Sequence, residues 1–243
     1  MDPEVRPEVV LTDFDPDGEV KVVAAALYAA SSLADDQLLN AASKMTTQER
    51  ARVLAAYVGD RRNRRHKPGR AFERTSYRFD VVCDYGAFRD LQRHRLLTIE
   101  WQSLGTSLGF ELPPEIEAAG ILEDWEAVMH QAAGLHEAMV DAGLGPAAQY
   151  AVPMAYKVRF YLDLNAREAM HLIELRTTPQ GHPVYRRVSQ QMHRLIAEGA
   201  GHRAIAEAMR FVDHSRVDLE RLEAERRIEA KRAALGSSGS SGP

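Results

Sequence analysis

The sequence is poor in several features that announce a function. Across 243 residues there is one cysteine, Cys83, which excludes a disulfide framework and any thiolate metal cluster and makes a reducing cytoplasm the expected compartment. No GxxxxGK[ST] loop and no GxGxxG motif occurs, so the common NTPase and dinucleotide fingerprints are missing. Charge of one sign is also scarce, with 31 Lys and Arg against 35 Asp and Glu for a net −4 at pH 7. That balance argues against wholesale binding to nucleic acid or another polyanion. The longest apolar stretch, 20–33, contains Lys21 and two serines and falls short of the roughly 20 apolar residues a membrane span requires. The Met-Asp-Pro-Glu start lacks the basic and apolar regions of a signal peptide. Neither a membrane nor a nucleic-acid partner is expected.

Histidine is present, nine times, but without metal-site spacing. His130 and His136 are six apart and do not share a helical face, and His182, His193, His202 and His214 show no HxxxH or HExxH pattern. No metal is expected.

What remains is an ordinary globular composition, 45% hydrophobic and 27% charged, whose hydrophobic period changes several times along the chain. Helices are predicted over 18–32, 46–58, 88–95, 122–142, 165–176, 183–199 and 204–211. Thr46 and Glu49 have capping-box spacing at the start of the second. Strict alternation over 76–83, with Tyr77, Phe79, Val81 and Cys83 on one side, and again over 156–164, predicts two strands. The fold class is therefore α+β, helix-rich with a small mixed or antiparallel sheet. The chain divides into a domain over 1–215, a charged terminal helix over 216–235 and a Gly/Ser tail over 236–243 that reads as a linker remnant.

Three constellations could carry chemistry. The run RRNRRHKPGR at 61–70 can hold phosphates, although its plain reading is a mobile basic loop. Arg93, His94 and Arg95 sit at the end of the predicted helix 88–95, against the apolar-leaning 96–99. Guanidinium forks match phosphates bidentately, and a histidine between them can donate to a phosphate or a heterocycle. In the helix 165–176, Arg167 and His171 share a stripe a turn apart, and Asn165 and Arg176 share another azimuth three turns apart. By periodicity alone each of these also fits a solvated helix surface.

Taken together, RHRLLTIEWQS (93–103) and YKVRFYLDLNAREAMHLIELR (156–176) resemble the flavin-dependent thymidylate synthases. That family carries an RHR-x-x-S motif, a following Glu-x-Ser-x-Arg segment and, much later, Asn-x-Arg-x-x-x-(His/Asn) leading into Leu-Arg. The resemblance runs from the strand and Ala-rich helix after Val9 to about Arg187. It implies an α/β homotetramer that binds FAD and dUMP at subunit interfaces and reductively methylates dUMP, or a related nucleotide, using methylenetetrahydrofolate and NADPH. Carried over, Arg93, His94 and Arg95 would contact FAD, as would Asn165, Arg167 and His171. Ser103 would contact the dUMP phosphate, and Arg176 would be the catalytic, substrate-binding arginine on the uracil carbonyls.

The departures are equally specific. Trp101 stands in place of the family's Glu, Gly105 and Gln149 in place of two phosphate-binding arginines, and Asp90 in place of a Gln facing the nucleotide. Gly181, His182 and Pro183 replace an Ala-Gln dipeptide after the helix. At about 1.5–3 kcal/mol per charge-assisted hydrogen bond, two lost arginines should weaken nucleotide binding by roughly 3–6 kcal/mol. Alongside a working enzyme stands the expectation of a degenerate FAD-binding copy that partners an intact one. A third reading, a helical protein- or nucleic-acid-binding module, leaves the register of the two motifs as coincidence.

Overall fold

The computed structural model describes residues 4–215 and Arg226. Apart from Arg226, the terminal helix expected over 216–235 lies outside the described residues, as does the Gly/Ser tail. In chain order the elements are β1 (Val9–Phe14), α1 (Gly18–Tyr28), α2 (Asp35–Lys44), α3 (Thr47–Val58), a 3-10 turn (Arg70–Arg74), β2 (Ser76–Asp84), α4 (Tyr85–Leu91) and β3 (Thr98–Trp101). There follow α5 (Pro114–Ala118), α6 (Leu122–Asp141), α7 (Gly145–Ala148), β4 (Lys157–Asn165), α8 (Ala166–Arg176), α9 (Pro183–Arg194), a π-helical turn (Leu195–Gly199) and α10 (Arg203–Ala208).

The two alternating segments build the centre of the sheet. β2 and β4 pair antiparallel over nine residues, from Ser76 opposite Asn165 to Asp84 opposite Lys157. Period-two alternation sends Tyr77, Phe79, Val81 and Cys83 of β2 and Val158, Phe160, Leu162 and Leu164 of β4 to one buried face. Each large apolar side chain there contributes about 1.5–3 kcal/mol through burial. β1 adds to β2 and β3 to β4, both antiparallel, giving the order β1-β2-β4-β3. The sheet is thus wholly antiparallel. Its other face is polar: Arg159 lies 3.2 Å from Asp80, and the Arg78 guanidinium sits 3.8 Å from the Tyr161 ring centre.

Helices α4, α8 and α9 cover the apolar face. α8 buries Ala169, Met170, Leu172 and Ile173, and α1 packs against α2, α3 and the Arg70–Arg74 turn. The expected capping box starts α3: Thr46 Oγ1 accepts from Glu49 N–H at 3.2 Å, while the Glu49 carboxylate accepts from Thr46 N–H at 2.7 Å.

Four expectations need correction. α4 stops at Leu91, so residues 93–95 follow the helix in a turn. α2 and β3 arise where neither was predicted. The helix expected over 183–199 ends at Arg194 and closes in a π turn, while that over 204–211 shrinks to Arg203–Ala208. α6 is as long as expected, but Met129 is its one buried residue, and Val128, Leu135 and Val140 are exposed. Among the described residues no helix is long and apolar enough to cross a membrane.

Candidate functional site

The site grows from the point where β4 turns into α8. Asn165 ends the strand and caps the helix, its Oδ1 accepting from Glu168 N–H at 2.9 Å. With no loop between the two elements, the azimuth of every α8 side chain is set by the sheet. Glu168 points inward, Arg167 and His171 point to one flank, and Arg176 closes the last turn beside the 93–95 segment.

A buried polar cluster joins α8 to the 93–95 segment here. The His94 side chain is 3% exposed and that of Glu168 6%. His94 Nδ1 is 3.1 Å from Glu168 Oε1, and its Nε2 is 3.1 Å from Arg176 Nε. Because an arginine Nε always carries hydrogen, His94 Nε2 must accept, which leaves the ring proton on Nδ1 to be donated to Glu168. Arg176 also donates from Nη2 to the Asp90 carbonyl, and its Nη1 lies 3.5 Å from the Asp90 carboxylate. Tyr185 backs the guanidinium at 5.2 Å. His171, more exposed, reaches the same Glu168 carboxylate at 3.4 Å.

Burial alone would raise the Glu168 carboxyl, but the hydrogen bonds it accepts from His171 and His94 outweigh it and hold the group down at about 2. His94, Glu168 and His171 are close enough to hold a metal ion, a grouping that histidine spacing in the sequence did not reveal. A cation on His94 Nδ1 would displace the proton that faces Glu168 and put an N–H at Nε2 against the Arg176 N–H. The hydrogen-bonded reading satisfies every atom.

The 61–70 run is not uniformly mobile, contrary to its plain reading. Arg61 is buried and grips Glu174 bidentately at 2.6 and 2.7 Å, with its Nε donating to the His66 carbonyl at 2.6 Å. That anchor folds the loop against α8. Arg167 Nε donates to the Pro68 carbonyl at 3.0 Å and its Nη1 to Glu73 at 3.1 Å. Between loop and helix lies an open cleft whose lining includes Arg64, Lys67, Leu96, Arg167, Met170 and His171. Among the described residues Arg64 and Lys67 have no acidic partner, and Leu96 is 70% exposed. Unpaired cations beside exposed apolar surface suit a ligand with a diphosphate and a flat ring, so the residues present fit FAD.

Of the carried-over residues, Arg93 and Arg95 are exposed, Arg93 resting 3.6 Å from Asp90. Asp90 is therefore offset by two arginines and does not stand as a bare anion. Ser103 is exposed in the loop after β3. Gln149 comes to that same loop, its Oε1 accepting from Leu104 N–H at 2.9 Å, so Ser103, Gly105 and Gln149 share one corner. Trp101 is half-exposed, its ring 5.5 Å from that of Phe88. Residues 105–109 also spell G-x-S-x-G, the pattern of a hydrolase nucleophile elbow. Here it forms a loop with no helix after it, and the exposed Ser107 has no histidine partner among the described residues.

Residues missed from the sequence are Glu168, Glu174 and Arg61. The inward azimuth of the two glutamates beside Ala169, Leu172 and Ile173 was the available signal for them.

Residues 9–200 match the family described as thymidylate synthase complementing protein. The chain belongs to that family. It is 35% identical over 229 residues to a UPF0159 protein of Chlamydia muridarum, covering 94% of this chain and 43% of the relative. A UPF0159 protein of Chlamydia pneumoniae is 38% identical over 224 residues, covering 92% and 41%. One from Thermoplasma acidophilum is 36% identical over 216 residues, covering 88% and 43%. The chain thus spans less than half the length of these relatives. The solved UMP/dUMP methylase PolB from Streptomyces cacaoi, bound with 5-Br dUMP, shares the fold at a TM-score of 0.64 and 20% identity, over 82% of this chain and 94% of that one.

Proposed function

We propose that this member of the thymidylate synthase complementing protein family binds FAD in the cleft between the 61–70 loop and α8, and a pyrimidine nucleotide beside Arg176. The reaction is the reductive methylation of dUMP or a related nucleotide, with methylenetetrahydrofolate and NADPH as co-substrates. The observation that carries this reading is the convergence of the 61–70 loop, Leu96 and α8 on one cleft, with Arg176 braced against His94 at the far side of Glu168.

When bound, the flavin supplies hydride chemistry. The chain's own residues bind and orient. Arg64, Lys67 and Arg167 form a cationic wall for phosphates, with Arg93 and Arg95 reaching from the adjoining turn. Asn165 shapes the cleft by fixing the start of α8, and His171 borders it. Arg176 spends its Nε and one Nη2 hydrogen on the protein. Its remaining N–H groups are available to two carbonyl oxygens, the acceptor pattern of uracil. Ser103 offers a hydroxyl to the nucleotide phosphate.

The exposed apolar side chains of α6, Val128, Leu135 and Val140, support assembly into a homo-oligomer, a tetramer by family likeness. The domain is taken as 1–215, and a cytoplasmic location agrees with the single buried thiol, Cys83. A second reading, a degenerate FAD-binding partner of an intact copy, is favoured by Gly105 and by Gln149, whose side chain is already committed to Leu104.

The absorbance spectrum of the purified chain, followed by an assay for dTMP with methylenetetrahydrofolate and NADPH, tests both. Yellow protein that forms dTMP supports the first reading and yellow, inactive protein the second. A colourless chain that cannot be reconstituted with FAD would refute both.

A further inference from the structure

Glu168 has no role carried over from the resemblance, yet its side chain is almost wholly buried and it is the point at which the two halves of the site join. On one side its carboxylate accepts from the interior His94, and on the other it lies 3.4 Å from His171 at the edge of the cationic cleft. His94 in turn accepts from Arg176.

We propose that Glu168 is a positioning residue for Arg176, acting through His94 by fixing which imidazole nitrogen carries the proton. This rests on the reading of Arg176 as the nucleotide-holding arginine.

The argument turns on hydrogen-bond direction. Arg176 ends α8 on a long side chain with many rotamers to lose when it is fixed. Two hydrogen bonds fix it, to His94 Nε2 and the Asp90 carbonyl, beside the looser contacts with the Asp90 carboxylate and the Tyr185 ring. The carbonyl accepts whatever happens nearby. The imidazole accepts only as the Nδ1–H tautomer, and without the carboxylate a neutral imidazole can move its proton to Nε2. A donor would then face a donor at the buried His94 ring, and Arg176 would lose one of its two hydrogen bonds to the protein. The carboxylate is suited to this task because it sets an acceptor oxygen 3.1 Å from His94 Nδ1. Because the same carboxylate also reaches His171, the cleft proposed for the cofactor and the arginine proposed for the nucleotide hang on one anchor.

Three proteins decide the matter, each with the whole sequence described above: wild type, Glu168→Ala, and Glu168→Gln, which keeps an acceptor oxygen of the same reach. The first readout is the ring ¹⁵N shifts of His94 without any ligand, assigned against His94→Asn. Wild type should show the Nδ1–H tautomer, Glu168→Gln largely the same, and Glu168→Ala a shift toward Nε2–H. The second is dUMP binding by calorimetry on flavin-reconstituted protein. Glu168→Ala should lose about tenfold in affinity, Glu168→Gln should stay near wild type, and in an Arg176→Ala background Glu168→Ala should add nothing.

Should Glu168→Ala unfold, Glu168→Leu, which fills the space without offering an acceptor, takes its place in both readouts. An Nε2–H tautomer in wild type would overturn the proposal. So would a tautomer unchanged by Glu168→Ala, or a full additional loss in the Arg176→Ala background. Wild-type protein that holds the Nδ1–H tautomer but binds no nucleotide would overturn the nucleotide reading instead, leaving the His94 result to stand by itself.

Discussion

The Arg61 guanidinium and the Glu174 carboxylate meet fork to fork at 2.6 and 2.7 Å, with both side chains almost wholly shielded from water. Breaking a buried pair strands the surviving charge. Arg61→Ala should therefore cost about 3–5 kcal/mol in urea unfolding, while Arg61→Met combined with Glu174→Leu should cost far less. Equal losses in both variants would show that packing, not charge pairing, holds the loop.

Acid should weaken the fold through Glu168. Its folded value of about 2 lies below its ordinary 4.5, so the unfolded chain takes up the proton first as pH falls. The stabilisation is complete above about 4.5 and drains away toward 2, a contribution on the order of 3 kcal/mol. The stability gap between wild type and Glu168→Gln should narrow as unfolding is measured from about pH 6 down to about pH 3. A gap independent of pH would contradict the ionised native carboxylate.

Cofactor retention separates the free cations from the tied one. Arg64 and Lys67 have no acidic partner among the described residues, so the double variant Arg64→Ala, Lys67→Ala should lose flavin on gel filtration while its melting temperature stays close to wild type. Arg167→Ala should lose flavin and stability together, since Arg167 also ties Pro68 and Glu73 to α8. Stoichiometric flavin in the double variant would place the cofactor elsewhere.

Gly105 offers a direct route to a stronger nucleotide site. A Cβ built there meets nothing within 4 Å and the backbone has no positive φ, so a side chain can start at Gly105 without strain or a clash at its first carbon. The new guanidinium beside Ser103 should raise dUMP affinity by about tenfold or more in calorimetry. Gln149→Arg should help less, because it removes the acceptor for Leu104 N–H. No gain from Gly105→Arg would mean that the phosphate lies away from this corner.

Assembly should depend on α6. Val128→Asp with Leu135→Asp places two charges on exposed apolar positions of one helix, and light scattering should report a smaller species than wild type. An unchanged mass would remove α6 from the interface.

Sequence periodicity made the centre of this fold legible because β2, β4 and α8 each bury one clean face, and a repeat of two or near four residues survives in the letters. β3 escaped because four edge residues, all but Ile99 exposed, leave too little alternation to see. α2 escaped because it buries only Leu38 and Ala42. At the site, residue types identified the cations but not their company. Nothing in a basic run distinguishes Arg61, whose partner lies 113 positions away, from Arg62, which is exposed. Nor does a glutamate on a helix announce that two histidines will find it. Those pairings are products of the tertiary fold, which brings the 61–70 loop and the 93–95 turn onto α8.

Asn165 is at once the last residue of β4 and the cap of α8, so strand and helix share one reading frame. Inserting or deleting a single residue at that seam would turn the helix by about 100°. Glu168 would swing away from His94, Arg176 would leave the turn, and a lysine or serine added there would matter for its length more than its chemistry. Loops elsewhere in this chain can absorb such changes in length; this junction has no slack to do so.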